Sequence, residues 1–361
     1  MKRVIIVLIV LSILGTAQSG ITYDVRILNS NYRYNFPRGI YNDQIVGTAA
    51  NIYGDWFGEY WNNSYSMPKN MNPAGFAEST IQSVHNGIKV GIGFRMVPNE
   101  YGGTREESHA LIWPGTDNTI VDLHPSGYYD SQARDVYNNY QVGVGTTRVY
   151  SEIGYEEYDH ALLWEGTAES VIDLHPKGFD YSYATSIYNN IQGGYSAIYK
   201  QNPYEPDVQN HAMIWFGNSL HYVDLHLDNC YHTYVYDLDQ SQQVGLGAIK
   251  YGPMVALLWT GSVDSCVNLH PEGYARSCAN GVRNGIQVGS ASVRVGEYDL
   301  YPHAMLWEGT PESYVDLHFF LPSGYYQESQ ATCIDINGNI CGFAKKYDGR
   351  IIILPKIRTG I

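Results

Sequence analysis

Residues 160–179 read HALLWEGTAESVIDLHPKGF, and close variants start at His109 (HALIWPGTDNTIVDLHPSGY) and at His303 (HAMLWEGTPESYVDLHFFLPSGY). Each copy holds two short apolar stretches, one ending in Trp and one carrying Asp-Leu-His, with a Gly-Thr turn between them and no helical period. A reaction needs its acid, base and nucleophile once, so a motif that returns this often reads as scaffold.

Working outward, a short strand ending in Gly recurs at Gly47, Gly91, Gly143, Gly194, Gly245, Gly289 and Gly342, mostly as Val-Gly. The six intervals average about 49 residues, close to the period of propeller blades. Each unit repeats four segments: Ser-x-Ala (Ser131, Ser182, Ser277, Ser329), the Gly strand, His-Ala-x-x-Trp and Val-Asp-Leu-His-Pro. Asn86-Gly87, Asn138-Asn139, Asn189-Asn190, Asn284-Gly285 and Asn337-Gly338 join the first two, and these residues tolerate the positive φ of a tight hairpin.

The expected fold is all-β, a seven-bladed β-propeller of four-stranded antiparallel blades. Trp61 stands as far ahead of Gly75 as Trp164 ahead of Gly178, which places a degenerate first unit near the N-terminus. The segment at about residues 22–30 is expected to complete the last blade, since a closed ring hides its strand edges. Residues 20–361 then form one domain.

Ahead of it, Lys2 and Arg3, an apolar run from Val4 to Leu14 and the small residues Ala17 and Ser19 predict a signal peptide over 1–19. The expectation is a secreted protein, extracellular or periplasmic, a monomer with no integral span after cleavage. Its net charge of -14 argues against nucleic acid as a partner. Tyr contributes 33 residues and Cys only five. Cys333 with Cys341, or Cys266 with Cys278, could bridge in an oxidising compartment.

His109, His160, His211 and His303 occur in the units that also carry Asp122, Asp173, Asp224 and Asp316. Val255 goes with Asn268, and Phe57 with Asn70, so His and Asp come and go together. They are expected to be structural hydrogen-bonded pairs, with the Ser residues completing a polar network. No catalytic residue is assigned. The second His (His124, His175, His226, His270, His318) recurs on different units, too dispersed for one metal site, and DLDQSQQ from Asp237 lacks the Gly and Glu of a calcium loop; no metal or cofactor is expected.

With HALLW, VIDLHPKGF and YATSIYNNIQGG in view, the chain resembles the extracellular repeats named for a His-Ala-Phe signature (HAF repeats). It departs from them in having Leu or Met for Phe, and His after Asp-Leu. The resemblance implies a secreted β-rich repeat protein and supplies no catalytic residues.

Function is expected on the face carrying the variable loops and the crossovers between blades. Its aromatic residues, Tyr101, Tyr128, Tyr155, Phe179, Tyr204, Tyr274, Tyr298 and Tyr325, suit a glycan or an extracellular protein partner. That makes a non-enzymatic binding scaffold the first expectation. A carbohydrate-active hydrolase or lyase using Glu100, Glu152, Glu156 or Glu205 is the alternative, and a structural role in a cell envelope or matrix is a third. An enzyme would need one pair of titratable groups near the central channel that breaks the repeat.

Overall fold

The computed structural model describes residues 8–9, 25–30, 32, 34–99, 102–151, 154–200, 208–296, 299–322, 326–346 and 351–354. Among these, six four-stranded antiparallel sheets follow one another along the chain. They are blade 1 (34–70), blade 2 (78–122), blade 3 (130–173), blade 4 (181–224), blade 5 (230–268) and blade 6 (276–316). Blade 3 is representative: Asp130–Tyr137, Tyr140–Ser151, Gly154–Trp164 and the two-residue strand Ile172–Asp173. The first strands of successive blades pack side by side, so they are innermost and the short fourth strands are outermost.

The repeated letters have local reasons. Asn86, Asn138, Asn189 and Asn284 all take φ near +50°, the left-handed turn that joins strands one and two. The Gln of Gln-Val-Gly is buried, and its side-chain oxygen accepts the Gly amide of the turn after Trp: Gln141 from Gly166 at 2.9 Å, Gln192 from Gly217, Gln243 from Gly261 and Gln287 from Gly309, each at 2.8 Å. Trp61, Trp113, Trp164, Trp215, Trp259 and Trp307 are fully buried. Each fills the gap between its own blade and the one before: Trp164 packs with Val90 and Ile112 of blade 2, and Trp215 with Val142 and Leu163 of blade 3. Large aromatic areas of this kind supply most of the apolar burial that holds blades together.

The expected seven four-stranded blades are corrected to six. The remaining sheet has three strands, Tyr326–Ile334, Ile340–Lys346 and Ile351–Leu354. No His-Ala-x-x-Trp or Asp-Leu-His segment follows Gly342, and among the described residues no fourth strand joins this sheet. The N-terminal strand does not supply one either: Val25–Arg26 pairs with Leu8–Ile9. The segment behind it still packs here, with Leu28 buried in the core shared with Ile340 and Ala344, and Trp61 Nε1 donating to Asn29 O at 2.9 Å. Apart from Leu8–Ile9, the expected leader lies outside the described residues.

One irregularity repeats in every inner strand. The pairing of strands one and two skips a residue between Pro37 and Gly39, Ile81 and Ser83, Ala133 and Asp135, Ala184 and Ser186, Val235 and Asp237, Ala279 and Gly281, and Ala331 and Cys333. These are β-bulges, which turn the extra side chain out of the ladder. The residues so released are Arg38, Gln82, Arg134, Thr185, Tyr236, Asn280 and Thr332.

Candidate functional site

The His and Asp of each unit do meet. His109, His160, His211 and His303 each place Nδ1 2.7 Å from Oδ2 of Asp122, Asp173, Asp224 and Asp316. The other oxygen of each carboxylate accepts the amide of the second His, at 2.8 to 3.0 Å. Burial alone would raise Asp122, Asp173 and Asp224; the His bond and that amide outweigh it and hold them below the usual carboxylate range.

The second His then reaches the next blade. His124, His175, His270 and His318 lie 2.8 to 2.9 Å from Ser131, Ser182, Ser277 and Ser329, and His226 lies 2.9 Å from Thr233. Each of these hydroxyl oxygens also accepts an Ala amide of the preceding blade, as Ser182 does from Ala161 at 2.9 Å. Burial, then the neighbouring His, lowers His226 and His318 to about 4, so these rings are neutral acceptors for the hydroxyl proton. The arrangement is a staple between blades. Ser182 and Ser329 are fully buried, out of reach of any substrate. In blade 5, Asn268 keeps the amide contact to His270 at 2.9 Å without a His partner, which is why His and Asp vanish together while the turn survives.

Glu107, His109 and His124 bring ligand-type atoms within 4.8 Å of one another. The Glu107 carboxylate is already held by Arg95 at 3.0 Å and Arg105 at 2.7 Å, and His109 by Asp122, so the cluster is a satisfied ion-pair network.

Of the aromatic residues expected to form a binding face, Tyr128, Phe179 and Tyr274 are wedged between blades. Tyr128 packs in the blade 2–3 core, Phe179 meets the His211 ring edge-on at 5.6 Å, and the Tyr274 hydroxyl donates to Asp316 at 2.9 Å. The Gly before each turns the chain inward, so the ring that reads as a loop tip is core. Tyr155 is exposed and stacks under the Arg148 guanidinium at 3.9 Å. Tyr101, Tyr204, Tyr298 and Tyr325 lie outside the described residues, as do Glu100, Glu152 and Glu205. Glu156 accepts the Tyr158 hydroxyl on the surface.

What the sequence did not reveal is which residues line the central channel. The seven bulge residues form a waist between two cavities, each of them lining both. On the side of the variable loops lies a cavity of about 540 Å³ walled by Tyr183, Tyr195, Val144, Gln330 and Phe343. Tyr183 and Tyr195 stack at 4.8 Å, and Tyr195 meets Tyr234 edge-on at 5.0 Å. The Tyr183 hydroxyl donates to Asp159.

On the side of the Asn turns lies a cavity of about 300 Å³ containing Asp135, Asp237, Asp335 and Arg283. Asp135 Oδ2 accepts the Ile187 amide of blade 4 at 2.8 Å, and Asp237 Oδ2 the Val282 amide of blade 6 at 2.9 Å. Burial, then the Asp237 charge, pushes Asp135 up to about 6 against the pull of Ser83, the Ile187 amide and Arg283. Around this mouth the rings of Tyr41, His85, Tyr137 and Tyr188 follow one another at 4.5, 4.5 and 4.7 Å, the middle pair stacked and the outer two tilted.

The waist breaks the repeat. Arg134-Asp135 stands where other units have Gln82-Ser83, Thr185-Ser186 and Asn280-Gly281, and comparing those columns is the signal that could have found the site.

No family model matches the chain, and no curated protein matches it. Solved structures do. A puromycin-hydrolyzing peptidase of Mycobacterium tuberculosis superposes with a TM-score of 0.56 at 12% identity over 90% of this chain and 51% of its own. The Pyrococcus horikoshii acylaminoacyl peptidase gives 0.55 at 10% over 89% and 52%. The β-propeller domain of the Trilobed protease from Pyrococcus furiosus gives 0.56 at 9% over 90% and 95%. The chain thus spans about half the length of the two peptidases. At these identities the likeness defines the fold, a β-propeller.

Proposed function

We propose that the chain is a binding propeller of the HAF-repeat kind, exported from the cell, which takes one end of a glycan into the upper mouth of its channel. The observation that carries this reading is the 540 Å³ cavity, within the roughly 300–1,000 Å³ of small-ligand sites, walled by tyrosine faces and floored by side chains that break the repeat. Sugar rings stack on aromatic faces, and the waist residues Gln82, Thr185 and Asn280 offer the donors and acceptors that hydroxyl groups need.

A glycan array followed by titration calorimetry tests it. A hit that weakens at least tenfold in Tyr195→Ala supports the reading, and a hit indifferent to Tyr195 sinks the channel as its site.

A second reading, a glycan hydrolase or lyase acting at the other end of the channel, is favoured by two carboxylates that line the Asn-turn cavity, Asp135, raised to about 6, and Asp237. A carboxyl in that range can deliver a proton near neutral pH. Turnover of the hit, abolished in Asp135→Asn, would replace binding with catalysis. Both carboxylates brace backbone amides of neighbouring blades, which is why binding is preferred.

A further inference from the structure

Two of the seven waist residues are arginines, and neither has a carboxylate partner among the described residues. Arg134 is held by one hydrogen bond, from Nη2 to Gln132 Oε1 at 2.6 Å, which leaves the rest of its donors uncommitted. Arg38 has no hydrogen bond to any described residue, is exposed, and lines both cavities. Arg38 and Arg134 stand on the first strands of blades 1 and 3, with Gln82 of blade 2 between them, and both line the same two cavities; desolvation lowers both guanidinium groups, and the charge of Arg134 lowers Arg38 further. The carboxylates of the opposite cavity are otherwise engaged: Asp237 faces Arg283 at 3.7 Å and accepts the Val282 amide, Asp135 accepts the Ile187 amide, and Asp335 accepts the amides of Asn337 and Asn339.

Two like charges lining one constriction cost stability unless an anion sits between them. The protein has a net charge of -14, so an unpaired cationic pair at its centre is a local exception to its field. A guanidinium presents a planar fork that matches a carboxylate two bonds at a time, which a point charge does not. Just above the pair, Tyr183 and Tyr195 offer faces on which a ring can rest.

We infer that Arg38 and Arg134 bind the carboxylate of an acidic sugar, a uronate residue whose pyranose ring lies against the tyrosine wall. This rests on the glycan reading above and names the chemical class of its ligand.

The test is calorimetric titration of the mature protein with a tetragalacturonate, its methyl ester, a sulfated tetrasaccharide and a neutral tetrasaccharide of similar size. Wild type, Arg38→Gln, Arg134→Gln and the double variant are compared. The expected result is binding of the acid at least 30-fold tighter than of the ester, weakened at least 30-fold in either single variant. The double variant should melt no lower than wild type, since the repulsion is gone, so that lost binding is not lost folding. Equal affinity for acid and ester, or wild-type affinity in the double variant, overturns the inference. So does tight binding of a sulfated tetrasaccharide in place of the uronate. Binding of neutral sugar that depends on Tyr195 but not on charge would leave the glycan reading standing and remove this one. Binding of no saccharide at all removes both.

Discussion

Gly143 lies directly against the carbonyl of Gln132: a Cβ built on that glycine would sit 1.9 Å from the oxygen. The bulge after Ala133 pushes the carbonyl into the facing strand, and only a residue without a side chain leaves room for it. The same approach recurs at Gly91 and Gly194, each at 1.9 Å from a carbonyl, and at Gly245 at 1.8 Å. The Gly of Gln-Val-Gly is therefore the counterpart of the bulge.

Gly143→Ala should lower stability by at least about 3 kcal/mol, because backbone rather than a mobile side chain must yield. Urea unfolding of the variant measures this. A loss under 1 kcal/mol would show that the strands can slide apart without cost.

Glu59 should be the reverse case. It occupies the core position that Leu111 and Leu162 hold in later blades, is fully buried, and has no partner for either oxygen among the described residues. Burial raises its carboxyl well above the usual range, so the folded protein keeps it neutral, and the stability it allows is lost as pH rises above the unfolded value near 4.5. Glu59→Leu is expected to stabilise the protein at pH 7 by about 1 to 3 kcal/mol. The gain should shrink at pH 4; a gain independent of pH would contradict this account.

His303→Ala removes one half of the most buried His–Asp pair and should cost about 1 to 3 kcal/mol by stripping Asp316 of a donor. Since Asp316 also bonds Tyr274 and the His318 amide, the double variant with Asp316→Ala should cost less than the sum of the two single changes. Additive losses would mean the pair is not coupled.

The second His residues make the fold acid-sensitive. His318, at about 4 in the folded chain against an ordinary 6.5, is neutral when folded and protonated when unfolded across that window. Stability falls as pH drops from 6.5 to 4. Replacing it, His318→Gln, should flatten the acid side of a melting-temperature profile, and an unchanged slope would show that the ring titrates freely.

Cys333 and Cys341 face each other across neighbouring strands, whereas Cys278 contacts the Asn280 side chain at 3.2 Å and Cys266 lines a cavity with Cys230. Treatment with oxidised glutathione should join Cys333 to Cys341 and leave Cys266 unlinked to Cys278. Peptide mapping under non-reducing conditions reads this directly; a Cys266–Cys278 peptide would contradict the strand register.

The period, the four segments per unit and the His–Asp partnership were legible in the sequence, because each is a short-range pattern repeated in register. The residues that line the channel were not. A bulge shifts one side chain out of the two-residue alternation without altering the letters around it, so Arg134 reads as one more polar position on an inner strand. The incomplete last sheet was hidden for a different reason. A strand at Val25 can be recognised by pattern, but its choice of Leu8–Ile9 as partner depends on three-dimensional competition between edges. Tyr128 and Phe179 misled because a ring after Pro-x-Gly looks like a tip, and only the packing shows that it folds back.

The bulges also separate two duties that most strands combine. A residue that takes no part in the ladder carries no obligation to match its neighbours, so Arg38, Gln82, Arg134, Thr185, Tyr236, Asn280 and Thr332 behave like the pins of a lock cylinder. Each can be cut to its own length and chemistry while the barrel that holds them stays the same. Selectivity in such a molecule can be rewritten one pin at a time.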